Sequence, residues 1–485
     1  MFFTVFAVFF IACSDDTSGT GRDTDSSDSD ADTDTDTDTD TDTDTDGDTD
    51  SDTDVPSSAQ ARCAERRATL PVRDGNEIAV SPGGQGQVLV DGNATTLRQV
   101  VSDAQEGDTI LLADGTYTFL EANDGEYTGL YITTPNITLR SVSGNAADVV
   151  LDSAYGDHGA ETAVISIDAS GVVLADFTVQ RSIFHLVHLW AGADNSIIHN
   201  VRLIDGGQQF LKASPGDGTV DDVEVSCSQF LMTDAGRDNV WGYGDQDGWT
   251  RCYTGGIDTH DARNWHIVDN SFDGIYCNAD GVERPAHGKK ADLRDNQTYT
   301  GGLAEHGIHM WNSEEGSAHL VERNVIRNCA RGIGIGLSTE VYGTMIRNNM
   351  IFSSHAGSAE HDVGIVVERG HNMVVAHNTV FYSSPAGYSN AIEYRFASTS
   401  DLEIYGNLTN RAVTGRDGAS AILSNNIETA EASWFTDAQT GDLHLAGCSM
   451  PQVMGVAPVT ADVPDDFDAD ERTGNADIGA DQCVP

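Results

Sequence analysis

The segments LVERNVIRN (320–328), MIRNNMIFS (345–353) and VVAHNTVFY (374–382) share one pattern: an alternating run of apolar and polar residues reaches an Asn, and a second such run follows. SIIHNVRLI (196–204), VEVSCSQFL (223–231), HIVDNSFDG (266–274) and EIYGNLTN (403–410) fit the same pattern. The repeated position is occupied by Asn200, Cys227, Asn270, Asn324, Asn349, Asn378 and Asn407, with spacings of 27, 43, 54, 25, 29 and 29 residues. The two long spacings contain polar, Gly-rich insertions at about 233–250 and 278–302.

This repeat predicts an all-β solenoid. Alternation with a period of two residues is typical of strands and argues against a helical solenoid. A spacing of 25–29 residues accommodates three short strands and their turns in each coil. Asn suits a turn because it tolerates left-handed backbone geometry, and its amide can hydrogen-bond to the next coil. We therefore interpret these Asn residues as turn residues stacked in a ladder, not as ligands.

Two further segments support this architecture and give it a family resemblance. GDTILLADGTY (107–117) looks like a first coil, and TLRQVVSDAQ (96–105) like an amphipathic helix that caps it. With these features the chain resembles the pectate-lyase-like proteins over about residues 85–430. The resemblance implies a right-handed parallel β-helix at 97–430, a lead-in segment at 63–96 and a C-terminal cap or tail at 431–485. Because that fold hosts lyases, hydrolases, epimerases and non-enzymes, it does not by itself assign an activity.

The N-terminus has the composition of an export signal followed by a spacer. Residues 1–12 (MFFTVFAVFFIA) are almost wholly apolar and precede Cys13, so FIAC resembles a lipoprotein lipobox, although Phe10 replaces the usual Leu and no basic residue precedes it. The resemblance implies export, a lipid on Cys13 and a cell-envelope location, with the outer membrane expected. An ordinary secretory signal with an incidental Cys is the alternative. Residues 13–62, with strictly alternating Thr and Asp at 32–46, predict a disordered tether or a simple-sequence expansion.

Charge and cysteine content restrict the partners. The formal net charge is -51, with 26 Lys and Arg against 77 Asp and Glu, which argues against nucleic-acid binding and against a polybasic membrane surface. The expected partner is a polysaccharide, with membrane contact only through the lipid anchor and a monomeric protein. Of eight Cys, Cys448 and Cys483 form the most natural pair, and no Cys-x-x-Cys spacing indicates a zinc knuckle. A lipidated Cys13 leaves an odd number, so we expect a free, buried thiol.

Candidate functional residues come from aligning seven strands of the repeat: HLVHLWA (185–191), QQFLKAS (208–214), GGIDTHD (255–261), HGIHMWN (306–312), GIGIGLS (332–338), GIVVERG (364–370) and NAIEYRF (390–396). Alternation places an apolar column inside the solenoid: Val187, Leu211, Ile257, Ile308, Ile333, Ile365 and Ile392. The first outward column is then His188, Lys212, Asp258, His309, Gly334, Val366 and Glu393. The second outward column is Trp190, Ser214, His260, Trp311, Gly336, Glu368 and Arg395. Titratable and aromatic residues are concentrated on four consecutive strands of these columns, whereas an ordinary solvated face would scatter small polar residues.

These columns suggest a polysaccharide groove. The candidate catalytic residues are Lys212 as a base or carboxylate clamp, His260 as a base, His309 as an acid, and Asp258 as their partner or a metal ligand. Substrate-binding candidates are His188, Trp190, Trp311, Glu368 and Arg395, since Trp rings stack on sugars; Glu368 and Arg395 also suit a simple surface ion pair. Each candidate has an ordinary alternative as a groove-lining or surface residue.

Two hypotheses remain open for function. The first is a lyase-like enzyme acting by β-elimination or uronate epimerisation; the second is a glycan-binding or structural protein without turnover. Lyases that the chain resembles usually employ Lys, Arg and often Ca²⁺, but here Trp311 lies where an Arg is expected. The columns contain no carboxylate cluster, so Ca²⁺ is a candidate cofactor without a ligand set and no metal site is predicted. Hydrolysis by paired carboxylates is disfavoured because Asp258 is the one carboxylate on the four central strands.

Overall fold

The computed structural model describes residues 58–121, 127–156, 158, 163–238, 252–277, 303–337, 339–357 and 361–483. The predicted signal segment 1–12, the lipidation site Cys13 and most of the two insertions lie outside these ranges. Of the predicted tether 13–62, only 58–62 is described, and there the chain is helical. The folded part therefore begins at least five residues earlier than the boundary predicted at residue 63. No helix of the described residues is long and apolar enough to cross a membrane.

Strands dominate the described residues. The helices are α1 (Ser58–Ala68), α2 (Leu97–Asp103) and α3 (Asp234–Arg237), with a 3₁₀ turn at Ala432–Trp434. The strands are β1 (Glu77–Gly84), β2 (Gln87–Val90), β3 (Asn93–Thr95), β4 (Thr109–Leu112), β5 (Gly115–Thr118), β6 (Leu130–Ile132), β7 (Thr138–Ser141), β8 (Val149–Asp152), β9 (Ile165–Ile167), β10 (Val173–Ala175), β11 (Thr178–Ser182), β12 (Val187–Leu189), β13 (Ile197–His199), β14 (Arg202–Gly206), β15 (Gln209–Ala213), β16 (Val220–Asp221), β17 (Glu224–Ser226), β18 (Gln229–Leu231), β19 (Gly255–Thr259), β20 (Ala262–Arg263), β21 (His266–Val268), β22 (Ser271–Asp273), β23 (His306–Met310), β24 (Leu320–Glu322), β25 (Val325–Arg327), β26 (Arg331–Ile335), β27 (Val341–Tyr342), β28 (Met345–Arg347), β29 (Met350–Ser353), β30 (Ile365–Glu368), β31 (Gly370–Ala376), β32 (Thr379–Tyr382), β33 (Asn390–Arg395), β34 (Ser400–Tyr405), β35 (Leu408–Thr409), β36 (Ala412–Arg416), β37 (Ile422–Ser424), β38 (Phe435–Asp437), β39 (Asp442–Leu445), β40 (Ala457–Pro458) and β41 (Asn475–Ala476).

Three parallel sheets run the length of the solenoid. Sheet I stacks β1, β4, β7, β10, β13, β17, β21, β24, β28, β31, β34 and β37, with β2 and β3 added antiparallel to β1 at its first edge. Sheet II stacks β5, β8, β11, β14, β18, β22, β25, β29, β32 and β35. Sheet III stacks β6, β9, β12, β15, β19, β23, β26, β30, β33 and β36. Each coil contributes one strand to sheets I, II and III in turn, and the chain is a right-handed parallel β-helix, as predicted.

The interior is filled by the apolar column that the alternation predicts. Leu211, Ile257, Ile308 and Ile333 pair directly across successive strands of sheet III, and all are fully buried. Stacking of like side chains on neighbouring strands, about 4.8 Å apart, leaves no room for water between them. The predicted capping helix is present as α2, where Thr96 Oγ1 accepts a hydrogen bond from the Gln99 amide 3.1 Å away.

The Asn ladder follows a register that differs by one residue from the prediction in the early coils. Asn270, Asn324, Asn349, Asn378 and Asn407 do form a ladder, but Ser228, not Cys227, occupies the preceding place, 42 residues before Asn270. The left-handed backbone lies one residue earlier, at Asn200, Cys227, Asp269, Arg323, Asn348 and His377. The prediction assigned the left-handed turn and the hydrogen bond between coils to the same residue. One residue turns the backbone, and the next donates to the neighbouring coil.

Helix α1 precedes the first coil in the sequence, but it packs beside later coils, against sheet I. The disulfide Cys63–Cys227 joins it to the solenoid, and Arg62 forms an ion pair of 2.8 Å with Asp269. The predicted disulfide Cys448–Cys483 is confirmed, and a third joins Cys252 to Cys277.

The remaining described thiol, Cys329, is free and buried, as expected. Burial raises the pKa of this thiol to about 12, which makes it unreactive.

The C-terminal segment after the solenoid packs on the outer face of sheet II. Phe435 contacts Phe381 with ring centroids 5.2 Å apart, and Met350 and Phe352 belong to the same buried cluster. The last strand of sheet I, β37, keeps Ile422 65% exposed. The segment predicted as a cap therefore acts mainly as a flank, because the large outward side chains of sheet II provide the apolar surface that it covers.

Candidate active site on sheet III

The strand pairing reproduces the predicted outward columns. His188 pairs with Lys212, Lys212 with Asp258, and Asp258 with His309. The column continues through Gly334, Val366 and Glu393. Because parallel strands in register keep side chains of one column on one face, the four titratable residues are brought together on the outside of sheet III.

Asp258 is the centre of this group, which we call the Asp258 cluster (Lys212, Asp258, His260 and His309). The Lys212 ammonium donates to the Asp258 carboxylate and also lies 3.0 Å from His260 Nε2. On the other side, His309 Nδ1 lies 3.1 Å from Asp258 Oδ1, and His309 Nε2 lies 3.1 Å from the Gly336 carbonyl oxygen. One carboxylate therefore contacts residues from the strand before it, the strand after it and its own strand.

Accessibility separates His260 from the rest of the cluster. Lys212, Asp258 and His309 are 4%, 2% and 1% exposed, whereas the His260 side chain is 26% exposed. The His260 ring lies tilted against Trp311 at a ring-centroid distance of 4.2 Å, and the Lys212 ammonium lies 5.8 Å from the centre of the same Trp ring. His260 is therefore the member most accessible to a substrate in the groove.

Burial and the short distances displace the pKa values in opposite directions. Burial disfavours the charge of Asp258, but the Lys212 ammonium together with the contacts of His260 and His309 holds the pKa of Asp258 well below its usual range. Burial also opposes the charge of Lys212, yet attraction to Asp258 leaves the pKa of Lys212 raised. Burial and the Lys212 charge lower the pKa of His260. Despite burial, Asp258 raises the pKa of His309. A neutral His260 imidazole and the Lys212 ammonium thus coexist within one cluster, a combination suited to acid–base chemistry.

Trp311 lies against His260, and the other predicted substrate-binding residues fall into two places. His188 and Trp190 form an aromatic pair one strand before Lys212, with ring centroids 4.0 Å apart. Neither ring nitrogen of His188 has a hydrogen-bond partner within the described ranges, and burial lowers the pKa of His188 to about 2. Glu368 and Arg395 pair across β30 and β33, at 2.8 Å, beyond the Gly334 strand. They form the ion pair that the sequence offered as the ordinary alternative.

The sequence alignment missed two residues that the fold adds to this face. By alternation His306 should point inward, two residues before Ile308. The structure instead places its ring beside that of His309, with centroids 4.5 Å apart, and over Gly334. Glu305 precedes it, and one ligand atom from each of Glu305, His306 and His309 lies within 4.8 Å of the others. The available signal was Gly334 itself, since a side chain there would collide with the His306 ring.

Comparison with known proteins identifies the architecture only. No protein-family model matches the chain, and no curated protein matches it. Among solved structures, the crystal structure of pectate lyase Pel9A is similar over 86% of this chain and 98% of its own, at 12% sequence identity and a TM-score of 0.55. The complex structure of XylC with xylose covers 84% of this chain and 98% of its own at 10% identity and a TM-score of 0.46. The crystal structure of the alginate lyase from Paenibacillus sp. str. FPU-7 is similar over 72% of this chain and 98% of its own, at 13% sequence identity and a TM-score of 0.43.

Proposed function

We propose that this protein is a carbohydrate-active enzyme that binds an acidic polysaccharide on the outward face of sheet III and cleaves it by β-elimination. The observation that carries the proposal is the convergence of Lys212, His260 and His309 on the single buried carboxylate of Asp258. The similarity of fold to a pectate lyase is consistent with it but does not establish it.

The proposed chemistry follows from which cluster members are charged and which are exposed. The Lys212 ammonium attracts the carboxylate of a uronate residue, because its raised pKa keeps it protonated. That role as a clamp fits Lys212 better than the role of base. The neutral, partly exposed His260 then removes the proton from the carbon beside the carboxylate, after its Nε2 exchanges the contact with Lys212 for the substrate.

The step balances with His260 alone. The electron pair of the broken C–H bond forms a carbon–carbon double bond while the bond from the neighbouring carbon to the glycosidic oxygen breaks. That oxygen receives the proton that His260 has accepted, which leaves an unsaturated sugar end and regenerates the neutral imidazole. Return of the proton to the opposite face of the same carbon would instead be epimerisation. Asp258 remains ionised throughout and keeps the Lys212 ammonium in place.

We also propose the cellular setting from the N-terminal sequence. Export, acylation of Cys13 and a Thr-Asp spacer would hold a monomeric β-helix at the cell envelope, with the outer membrane as the expected location. Labelling with radioactive palmitate tests the anchor: incorporation in the full chain that disappears in Cys13→Ala supports it, and equal labelling in both contradicts it.

A glycan-binding protein without turnover is the second candidate. The near-complete burial of Lys212, Asp258 and His309 favours it, because buried, mutually neutralised charges also occur as structural networks. In this case Trp190 and Trp311, which line the groove, would carry the affinity.

One experiment distinguishes the two candidates. The full chain is incubated with a panel of acidic and neutral polysaccharides, with and without Ca²⁺, and ultraviolet absorbance from unsaturated sugar is recorded together with retention on each immobilised glycan. The enzyme predicts absorbance that is lost in His260→Ala while retention persists. Retention without new absorbance or new reducing ends, abolished by Trp311→Ala and unaffected by His260→Ala, would overturn the enzyme in favour of the binding protein.

A further inference from the structure

His306 is a buried polar side chain whose hydrogen-bonding groups have no partner in the described structure. The residue is 7% exposed, and neither Nδ1 nor Nε2 has a hydrogen-bond partner among the described residues. Its nearest ring neighbour is His309, and its Nε2 lies over Gly334. Because a buried imidazole without partners loses its hydrogen bonds to water and gains none in return, a ligand for its nitrogen is the simplest physical explanation.

The groups around His306 are metal ligands by type. One ligand atom each from Glu305, His306 and His309 lies within 4.8 Å of the others, which is compatible with a cation between them. Two nitrogens and one carboxylate favour a cation of the zinc class, whereas Ca²⁺ prefers six or more oxygens.

We propose that Glu305, His306 and His309 form a binding site for a zinc-class divalent cation on the outward face of sheet III. The site has three protein ligands and an open fourth position, and it is separate from the contact between Lys212 and His260 that the proposed elimination uses. Its occupancy therefore does not depend on that activity.

The surroundings of His309 suit this role. Asp258 lies 3.1 Å from His309 Nδ1, the arrangement in which a carboxylate orients a metal-bound imidazole through its second nitrogen. His309 Nε2 is then the ligand atom, and it exchanges its contact with the Gly336 carbonyl for the cation. Gly334 has no side chain, which leaves the space that the His306 ring occupies beside His309.

One contact competes with the cation. Arg331 Nη1 lies 3.8 Å from Glu305 Oε2, but Arg331 Nε lies closer to Asp362, at 3.2 Å. The Arg331 side chain thus has another partner when the Glu305 carboxylate turns to a metal ion.

The substitution His306→Phe is a sharp test because it keeps the ring and removes both nitrogens. Since those nitrogens have no partner, the variant should fold at least as stably as the metal-free wild-type protein. The full chain is stripped of metal with a chelator and titrated calorimetrically with Zn²⁺ in millimolar Ca²⁺, which occupies the acidic N-terminal tract equally in every variant. We expect one Zn²⁺ per wild-type chain, and affinity lower by on the order of 100-fold in His306→Phe and Glu305→Gln.

The control is His371→Phe on β31 of sheet I, a different sheet from that of the proposed site, where the ring stacks on Tyr342. It should bind Zn²⁺ like the wild-type protein. A second readout is Co²⁺, whose visible absorption bands should appear with the wild-type and control chains and be absent from His306→Phe. The proposal is overturned if the wild-type chain takes up no stoichiometric Zn²⁺, or if both Glu305→Gln and His306→Phe bind it as tightly as the wild type. Failure of polysaccharide turnover alone would contradict the proposed function and leave this site intact.

Discussion

The Asn ladder and the Asp258 cluster are both columns of polar residues on stacked coils, yet they are built in opposite ways. In the ladder, the same residue recurs and each amide is satisfied: Asn349 Nδ2 donates to Asn378 Oδ1 and to the carbonyls of Val321 and Arg347, all at 2.9 Å. On sheet III the column changes residue at every strand, from His188 to Lys212 to Asp258 to His309. There, buried nitrogens of His188 and His306 have no partner among the described residues.

The contrast separates stability from function within one architecture. A repeated, fully hydrogen-bonded column lowers the free energy of the folded state in every coil and needs no other molecule. A varied column with displaced pKa values and unmade hydrogen bonds costs stability, and such sites concentrate where a ligand or reaction compensates. The following variants test this distinction, in order of decreasing expected effect.

Removing the central carboxylate should have the largest effect on stability. Asp258→Ala leaves the buried Lys212 ammonium without its counter-charge, and we expect the free energy of unfolding to fall by about 3–5 kcal/mol. Denaturant unfolding monitored by circular dichroism measures it. The double variant Lys212→Met/Asp258→Leu, which removes both charges, should recover most of the loss. A loss below about 1 kcal/mol in the single variant would show that the pair is not the buried, mutually dependent unit described here.

Breaking the Asn ladder at its middle should lower the free energy of unfolding by less than Asp258→Ala does, and it should leave the groove on sheet III intact. Asn349→Ala removes three donated hydrogen bonds and the acceptor of the Asn324 amide, and it leaves buried groups unpaired. We expect unfolding to become easier by about 2–3 kcal/mol, measured by the same method. The matched control Asn410→Ala, on a half-buried turn outside the ladder, should change stability less. Equal losses in the two variants would argue against a special role for the ladder.

The buried histidine beside the cluster should make stability depend on pH. His188 has a pKa of about 2 in the folded protein against an ordinary value of 6.5, so between these values the unfolded chain binds a proton that the folded chain does not. Stability therefore falls as the pH decreases below 6.5, by about 1.4 kcal/mol per pH unit from this residue. We expect the free energy of unfolding, measured at about pH 6.5, 5.5 and 4.5, to fall with decreasing pH less steeply in His188→Phe than in the wild-type protein. The two slopes should differ by about 1.4 kcal/mol per pH unit. Parallel curves for both proteins would contradict the buried, neutral state of His188.

The outward columns could be predicted residue by residue because strand alternation and the spacing of the repeat are local properties. Leu211, Ile257 and Ile308 set the register, and Lys212, Asp258 and His309 follow from it. Strict alternation would place His306 on the inward side with Ile308, so it was missed. Its ring instead lies beside that of His309, over the side-chain-free Gly334 of the next strand. The ion pair with Asp258 keeps Lys212 protonated, which in the proposed mechanism suits a clamp rather than a base.

Other differences have a tertiary cause. The ladder is shifted by one residue at Cys227 because each turn needs a residue with left-handed backbone and, next to it, a residue that hydrogen-bonds to the neighbouring coil. In Asn348-Asn349 both positions are Asn, so the sequence does not show that Asn348 has the left-handed backbone and Asn349 donates to the next coil. The sequence divides the residues of helix α1 between the tether (13–62) and the lead-in segment (63–96) and predicts no helix there. The position of this helix depends on a disulfide and an ion pair with residues more than 150 positions away.

The most direct test of this account is the turnover of acidic polysaccharide by His260→Ala, measured beside the wild-type and Asn349→Ala chains at a temperature where all three are folded. We expect His260→Ala to lower kcat by on the order of 100-fold or more, with little change in stability. Asn349→Ala should be less stable but retain most of the wild-type kcat. Wild-type turnover by His260→Ala, or loss of turnover in the folded Asn349→Ala chain alone, would contradict the division between a chemical face and a structural ladder.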